Sequence, residues 1–164
     1  MKAQILKALL TLYPEVPYDE KLSKAQWVGF KRVHIKREGW DEVYLQRFIL
    51  LRCPLGAVYL HRFFRGDEDQ CLHDHPWAFA SLILKGGYWE ETEGGKVTWC
   101  PPGSLRFMPA THKHRVILDD GRKGATWTLV ATTKKTRSWG FWTLGGTTWV
   151  PWQEFIDGGS KGCE

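Results

Sequence analysis

Residues 2–13 carry Ile5, Leu6, Leu9, Leu10 and Tyr13 at helical spacing, and Pro14 and Pro17 end the pattern. One N-terminal amphipathic helix is expected there, with a second over roughly 20–30. The chain then changes to short strand-like runs divided by Gly, Pro and Asp: VYLQRFILL, AVYLHRFF, FASLILKGGYWEE, KVTWC, SLRFMP, HRVIL and TWTLVATT. Turns are expected at GDED, ETEGGK, CPPGS and DDGRKG. Seven runs at this spacing predict a mainly all-β antiparallel sandwich or barrel with a short N-terminal helical extension, not βαβ units. The expected organisation is a helical extension and lead-in strand over 1–50, a barrel over 51–155 and a disordered tail over 156–164, where GGSKGCE lies. No internal repeat interrupts it.

At 164 residues the chain suits one domain, and 43% hydrophobic with 25% charged residues leaves enough apolar material for a core, excluding disorder throughout. No stretch approaches the roughly 18 apolar residues of a membrane span. The opening MKAQILKALLTLYPE lacks the apolar centre and cleavage site of a signal peptide. A soluble, non-secreted, cytoplasmic protein with no membrane partner is the expectation. Cys53, Cys71, Cys100 and Cys163 show no CxxC spacing and are too few for a disulfide framework, which suits a reducing compartment. The net charge of +5 is spread as +3 over 1–50, 0 over 51–114 and +2 over 115–164. Nucleic acid is therefore not an expected partner, because neutralising phosphates takes several Lys or Arg on one face. Lys134, Lys135 and Arg137 read as a solvated loop.

Chemistry enters with the histidines His34, His61, His73, His75, His112 and His114, four of which form two HxH pairs 37 residues apart. In a strand, residues i and i+2 share a face, so each pair can aim two imidazoles at one point. A metal site is expected.

The two pairs resemble the motifs of the cupin superfamily, G-x5-HxH-x(3,4)-E-x6-G and G-x5-PxG-x2-H-x3-N. In the first, His73 and His75 form the pair, Phe79 stands at the Glu position and Gly86 follows after six residues, while Gly66 precedes His73 by seven positions instead of six. In the second, Gly103, Pro109 and His114 match, with Thr111 for the second Gly and Leu118 for Asn. The resemblance covers about residues 56–135 and implies a double-stranded β-helix, the jelly-roll-like cupin barrel, with His73, His75 and His114 as metal ligands. LHRFFRGDEDQCLHDHPWAF, LILKGGY and SWGFW are also similar to small cupin-like proteins of bacteria and their phages. A three-His set without the carboxylate resembles thiol dioxygenases such as cysteine dioxygenase. That resemblance implies one divalent metal ion, iron first, with nickel, zinc or manganese as alternatives. No H-x-D or H-x-E occurs, which excludes 2-oxoglutarate oxygenases on their usual motif.

Strand parity after Pro76 turns Trp77, Phe79, Ser81 and Ile83 inward. His112 is expected behind the ligands or at the surface, and Cys71 either inward or simply buried. Asp74 should face away, into a salt bridge or turn hydrogen bond. Arg106 points either into the cavity, where it would hold a substrate carboxylate or phosphate, or outward over its strand. His61, with Tyr59 and Phe63, belongs to core packing or to the pocket. Ten tryptophans are unusual, and Trp139, Phe141, Trp142, Trp149 and Trp152 cluster near the C-terminus. They either seal one barrel end against the N-terminal helix or form a rim for a sugar, base or indole. Three functions follow: an iron-dependent dioxygenase acting on a small polar or anionic molecule, a metal-dependent sugar isomerase or epimerase, and a non-catalytic small-ligand-binding module. A homodimer is left open.

Overall fold

The computed structural model describes residues 3–16, 31–36, 43–67, 71–118, 124–159 and 163. The helix expected over roughly 20–30 lies outside the described residues. The N-terminal helix is present as α1, Ala3–Leu12. Only part of its apolar stripe is used. Leu6, Leu9 and the following Tyr13 pack on Phe48 and Trp127, whereas Ile5 stays half exposed.

Among the described residues twelve strands follow: β1 Lys31–Lys36, β2 Val43–Cys53, β3 Gly56–Phe63, β4 Leu72–His73, β5 Phe79–Lys85, β6 Tyr88–Thr92, β7 Lys96–Cys100, β8 Leu105–Met108, β9 His114–Ile117, β10 Thr126–Thr133, β11 Gly140–Thr143 and β12 Thr148–Pro151. A short helix, α2 Trp152–Asp157, follows β12. The strands form two six-stranded sheets, one ordered β1-β2-β3-β10-β5-β8 and the other β12-β11-β4-β9-β6-β7. Their pairings are antiparallel. This is the jelly-roll barrel of the sequence expectation. β1 and β2 belong to the first sheet, so the boundary placed after residue 50 falls inside β2.

The run FASLILKGGYWEE is two strands, because the chain crosses between the sheets at Gly86 and Gly87. Both have positive φ, 83° and 100°. A Cβ at Gly86 would lie 2.8 Å from the Thr126 backbone, and one at Gly87 2.8 Å from the Cys100 carbonyl oxygen. Only glycine fits that corner.

Alternation then sorts the side chains. On β3, Ala57, Tyr59, His61 and Phe63 are buried and the residues between them less so. On β10, Thr126, Thr128 and Val130 share that interior, while Trp127 turns outward under α1. The helix therefore covers the outer face of the first sheet.

The C-terminal aromatics do a separate job, which corrects the expectation that they seal the barrel against α1. Phe141 stacks on Phe155 at 4.1 Å and Trp139 on Trp152 at 5.8 Å, clamping α2 to the second sheet. Burying each such ring contributes about 2 kcal/mol. Cys71 and Cys163 are joined there by a disulfide, with Cα atoms 4.6 Å apart across a sequence separation of 92. This corrects the expectation of four reduced thiols; of the two readings of Cys71, the buried one holds. Cys163 is thereby held against Cys71, next to β4, an approach that cysteine spacing along the chain cannot reveal. Cys53 and Cys100 are free.

Candidate metal centre

β4 is only two residues long, yet it is held on both sides: His73 pairs with Phe141 of β11 and with His114 of β9. The chain then stays extended through Asp74, whose N–H donates to the Gly140 carbonyl at 3.1 Å, and His75, whose N–H donates to Ala110 at 3.1 Å. Asp74 points away from the barrel, as expected, and is fully buried. Its carboxylate accepts from Arg137 (2.6 Å), the Gly140 N–H (2.9 Å), Trp149 Nε1 (3.1 Å) and Trp142 Nε1 (3.3 Å). Two of the clustered tryptophans thus serve as donors locking the strand, with Arg137 over the Trp149 ring and Lys113 over Trp142. Arg137 is not part of a free basic loop.

On the opposite face His73, His75 and His114 converge. Their ring centroids form a triangle of 5.1, 4.9 and 5.1 Å, and one nitrogen from each lies within 4.8 Å of the others. The Nε2 atoms of His75 and His114 are 2.8 Å apart. Two nitrogens sharing a first-row ion at about 2.1 Å sit about 3.0–3.4 Å apart, so a small adjustment admits the ion. The three-imidazole donor set fits such a metal. Burial, reinforced by the neighbouring imidazoles and Arg47, pushes the His75 pKa well below 6.5 and keeps the ring neutral and able to ligate.

Carboxylates stand behind two of the three rings. His114 Nδ1 lies 2.8 Å from Glu90 Oε1, and His73 Nδ1 lies 3.8 Å from Asp67 Oδ2. Asp67 is itself held by the Tyr44 hydroxyl at 2.5 Å and the Val116 N–H at 2.6 Å. The Glu90 carboxylate at hydrogen-bond distance from His114 Nδ1 fixes that ring's tautomer and leaves its Nε2 as the ligand, whereas Asp67 stands beyond hydrogen-bond reach of His73. Glu90 is fully buried. Burial opposes its ionisation, but hydrogen bonds from His112 and His114 and the charges of His114 and Arg106 outweigh burial and hold its pKa at about 2. Glu90, His112 and His114 also form a second group with donor atoms within 4.8 Å of one another.

The neighbours divide as follows. Phe79 stands at the site, its ring 4.7 Å edge-on to His75 and 6.1 Å from His114. Ser81 and Ile83 are buried on the same inner face of β5, and Trp77 is half-buried just before that strand. His112 lies behind the ligands, 3.4 Å from Glu90 and 5.1 Å ring to ring from His114. Arg106 does turn inward, but its guanidinium is ion-paired with Glu90 and donates to Cys100 Sγ at 2.9 Å. The role foreseen for Arg106, holding a substrate anion, is therefore taken up by Glu90. His61 is buried in the interior, stacked on Tyr59 at 5.7 Å and accepting from Arg47 Nε at 2.9 Å. His34 lies elsewhere, bonded to Glu15 and Gln46.

Sequence reasoning missed Glu90, Asp67 and Arg47. For Glu90 the signal was present: in YWEET it shares strand parity with Tyr88, and both are buried while Trp89 is exposed. Asp67, which lies in no strand, carried no such signal.

Comparison of the sequence with family models and with curated proteins finds no match. Solved structures do match. The cupin-2 domain protein of Rhodospirillum rubrum superposes with a TM-score of 0.56 at 18% identity, over 80% of this chain and 90% of that one. This is a cupin fold. Fe(II) HppE matches with a TM-score of 0.51 at 16% identity, over 66% of this chain and 59% of its own. A DMSP lyase matches at 0.50 and 19% identity, over 63% and 56% respectively. The cupin likeness at these identities concerns the fold. The histidines that the motif resemblance singled out are those that meet inside this cupin barrel.

Proposed function

We propose that His73, His75 and His114 hold one divalent first-row metal, iron in first place, and that the protein is a small cupin metalloenzyme of dioxygenase type acting on a small polar or anionic molecule. The convergence of three imidazoles carries this reading, supported by the carboxylates behind His73 and His114. A bound metal of this kind supplies Lewis acidity and, as iron, redox chemistry with dioxygen. The chain's own residues do the rest. Glu90 stays ionised and accepts the His114 Nδ1 proton, keeping Nε2 directed at the metal position. Arg106 balances the charge of Glu90 behind His114. Phe79 occupies the place of a fourth, anionic ligand and gives the centre an apolar wall. A divalent ion held this way keeps its full charge and favours anionic ligands.

Metal analysis of protein purified without a His tag, followed by oxygen-electrode assays with small carboxylates and thiols, tests the proposal. About one iron per chain with substrate-dependent oxygen uptake supports it. A redox-inert ion overturns the dioxygenase and favours Lewis-acid isomerisation. A chain that takes up no metal overturns both and leaves a ligand-binding module.

A further inference from the structure

The bond between Cys71 and Cys163 joins a chain that does not depend on a staple. Disulfides become necessary mainly in domains below about 70 residues, whose cores are too small to hold them together. This chain has 164 residues and builds two six-stranded sheets around its own buried clusters. Cys53 and Cys100 stay as thiols. One bond beside two thiols is no framework, so its meaning lies in its position.

That position is the back of the three-His centre. Cys71 immediately precedes β4, and His73 is its second residue. The bonded cysteines lie in a cluster with Phe141 and Phe155, against which Trp139 and Trp152 pack. Phe141 pairs with His73 across the sheet. Its ring is 6.1 Å from the imidazole, and that of Trp139 is 6.4 Å from it. The stack of Phe155 on Phe141 ties α2 into the same cluster. A strand of two residues takes its position from such neighbours. The disulfide spans a sequence separation of 92, and a crosslink over so long a loop holds its ends together far more firmly than packing alone. Access to its two sulfurs is unequal, since Cys71 is 2% exposed and Cys163 is half-buried. A thiolate arriving from solvent meets Cys163 Sγ first.

We infer that the Cys71–Cys163 disulfide is a reversible redox latch, opened by a dithiol reductant, whose closed form braces β4 and with it His73. In opening, a reductant thiolate attacks Cys163 Sγ. The S–S bond breaks, and its electron pair leaves with Cys71 Sγ, which takes up a proton. The second thiol of the reductant loses its proton and displaces Cys163 from the mixed disulfide, so Cys163 also ends as a thiol and the reductant as a disulfide. Two electrons and two protons pass to the protein. A disulfide oxidant closes the latch by the reverse exchange. Only the effect on metal affinity rests on the proposed metal centre; the bracing of β4 does not.

The test compares full-length protein in the oxidised form, after reduction by dithiothreitol and its removal under argon, and as Cys163→Ser, which cannot close the bond. Cys53→Ser is the control. In metal-free samples, amide hydrogen exchange at residues 72–75 and in α2 should be about tenfold or more faster in the reduced wild type and in Cys163→Ser, with β2 and β3 unchanged. Cys53→Ser should match the oxidised wild type, and oxidised glutathione should restore slow exchange to the reduced wild type. Zinc affinity, read by competition with a chelator, should fall about tenfold on opening. Equal exchange in oxidised and reduced wild type overturns the inference, whatever the folding of the variants. So does a bond that dithiothreitol opens only after denaturant has unfolded the chain. Faster exchange with unchanged zinc affinity overturns the link to His73. Faster exchange in a protein that binds zinc in neither form supports the latch and strikes the metal centre alone.

Discussion

His114 and His112 are two residues apart, and each lies near Glu90, yet only His114 meets both His73 and His75. His114→Ala should therefore abolish metal uptake while His112→Ala retains most of it, as read by elemental analysis. Equal losses would assign the metal to the Glu90, His112 and His114 group. Glu90→Gln keeps the shape of the carboxylate but removes the charge that orients His114, and should weaken metal binding about 10- to 100-fold in competition with a chelator. Phe79→Glu places a carboxylate against His75. It should tighten divalent metal binding and weaken acetate affinity for the loaded protein, because the new charge both ligates and repels. Calorimetry checks this, and unchanged acetate affinity with the glutamate ligating would refute the charge argument. At this scale the sequence was legible wherever a periodic rule applied: parity placed Phe79, Ser81 and Ile83 inward, and motif register brought the three histidines together. Arg106 illustrates the limit. Parity set it opposite Leu105 and Phe107 but left open whether its face was the cavity, because its partner Glu90 comes from another strand and cross-barrel pairing has no periodic trace in the chain.

Among the elements, the long strands and α1 followed their hydrophobic patterns, while β4 left no pattern to follow. Two residues cannot show an alternation, and β4 exists because β9 and β11 flank it and Asp74 bonds to the β11–β12 hairpin. The tryptophans of that hairpin were conspicuous as composition, but their role as donors to Asp74 depends on a contact spanning over sixty residues. Asp74→Ala leaves Arg137 and two indole N–H groups without their shared acceptor and should cost about 3 kcal/mol. Chemical denaturation followed by tryptophan fluorescence measures this, and metal affinity should fall in the same variant because His73 and His75 flank the altered residue. Asp74→Asn, which keeps an acceptor oxygen, should lose less of both.

The whole molecule holds neutral, buried histidine in its interior, and this sets its response to acid. His61 is pushed well below its ordinary 6.5 by burial and by Arg47. The unfolded chain takes up a proton there as pH falls through about 6.5, whereas the folded chain does not, so stability is complete above that pH and declines below it. The decline contributes up to about 1.4 kcal/mol per pH unit for this group. Urea midpoints between about pH 7 and pH 5 should show it. His61→Gln, which preserves an acceptor for Arg47, should flatten the slope by one proton's worth; an unaltered slope would mean that His61 is already charged in the fold.

The short strand carrying His73 also orders events during synthesis. Its neighbours in the sheet, β9 and β11, are translated after it, and the Trp149 donor that secures Asp74 comes later still. A nascent chain that already contains all three histidines still lacks β11 and the Trp149 donor that flank His73 and secure Asp74. Metal delivered at that stage would meet a loose, exchangeable set of imidazoles, so productive loading belongs to the interval after the last hairpin has closed. On the proposed metal centre, a chain halted before β12 would carry all three histidines while lacking the Trp149 N–H that helps to hold Asp74 between two of them.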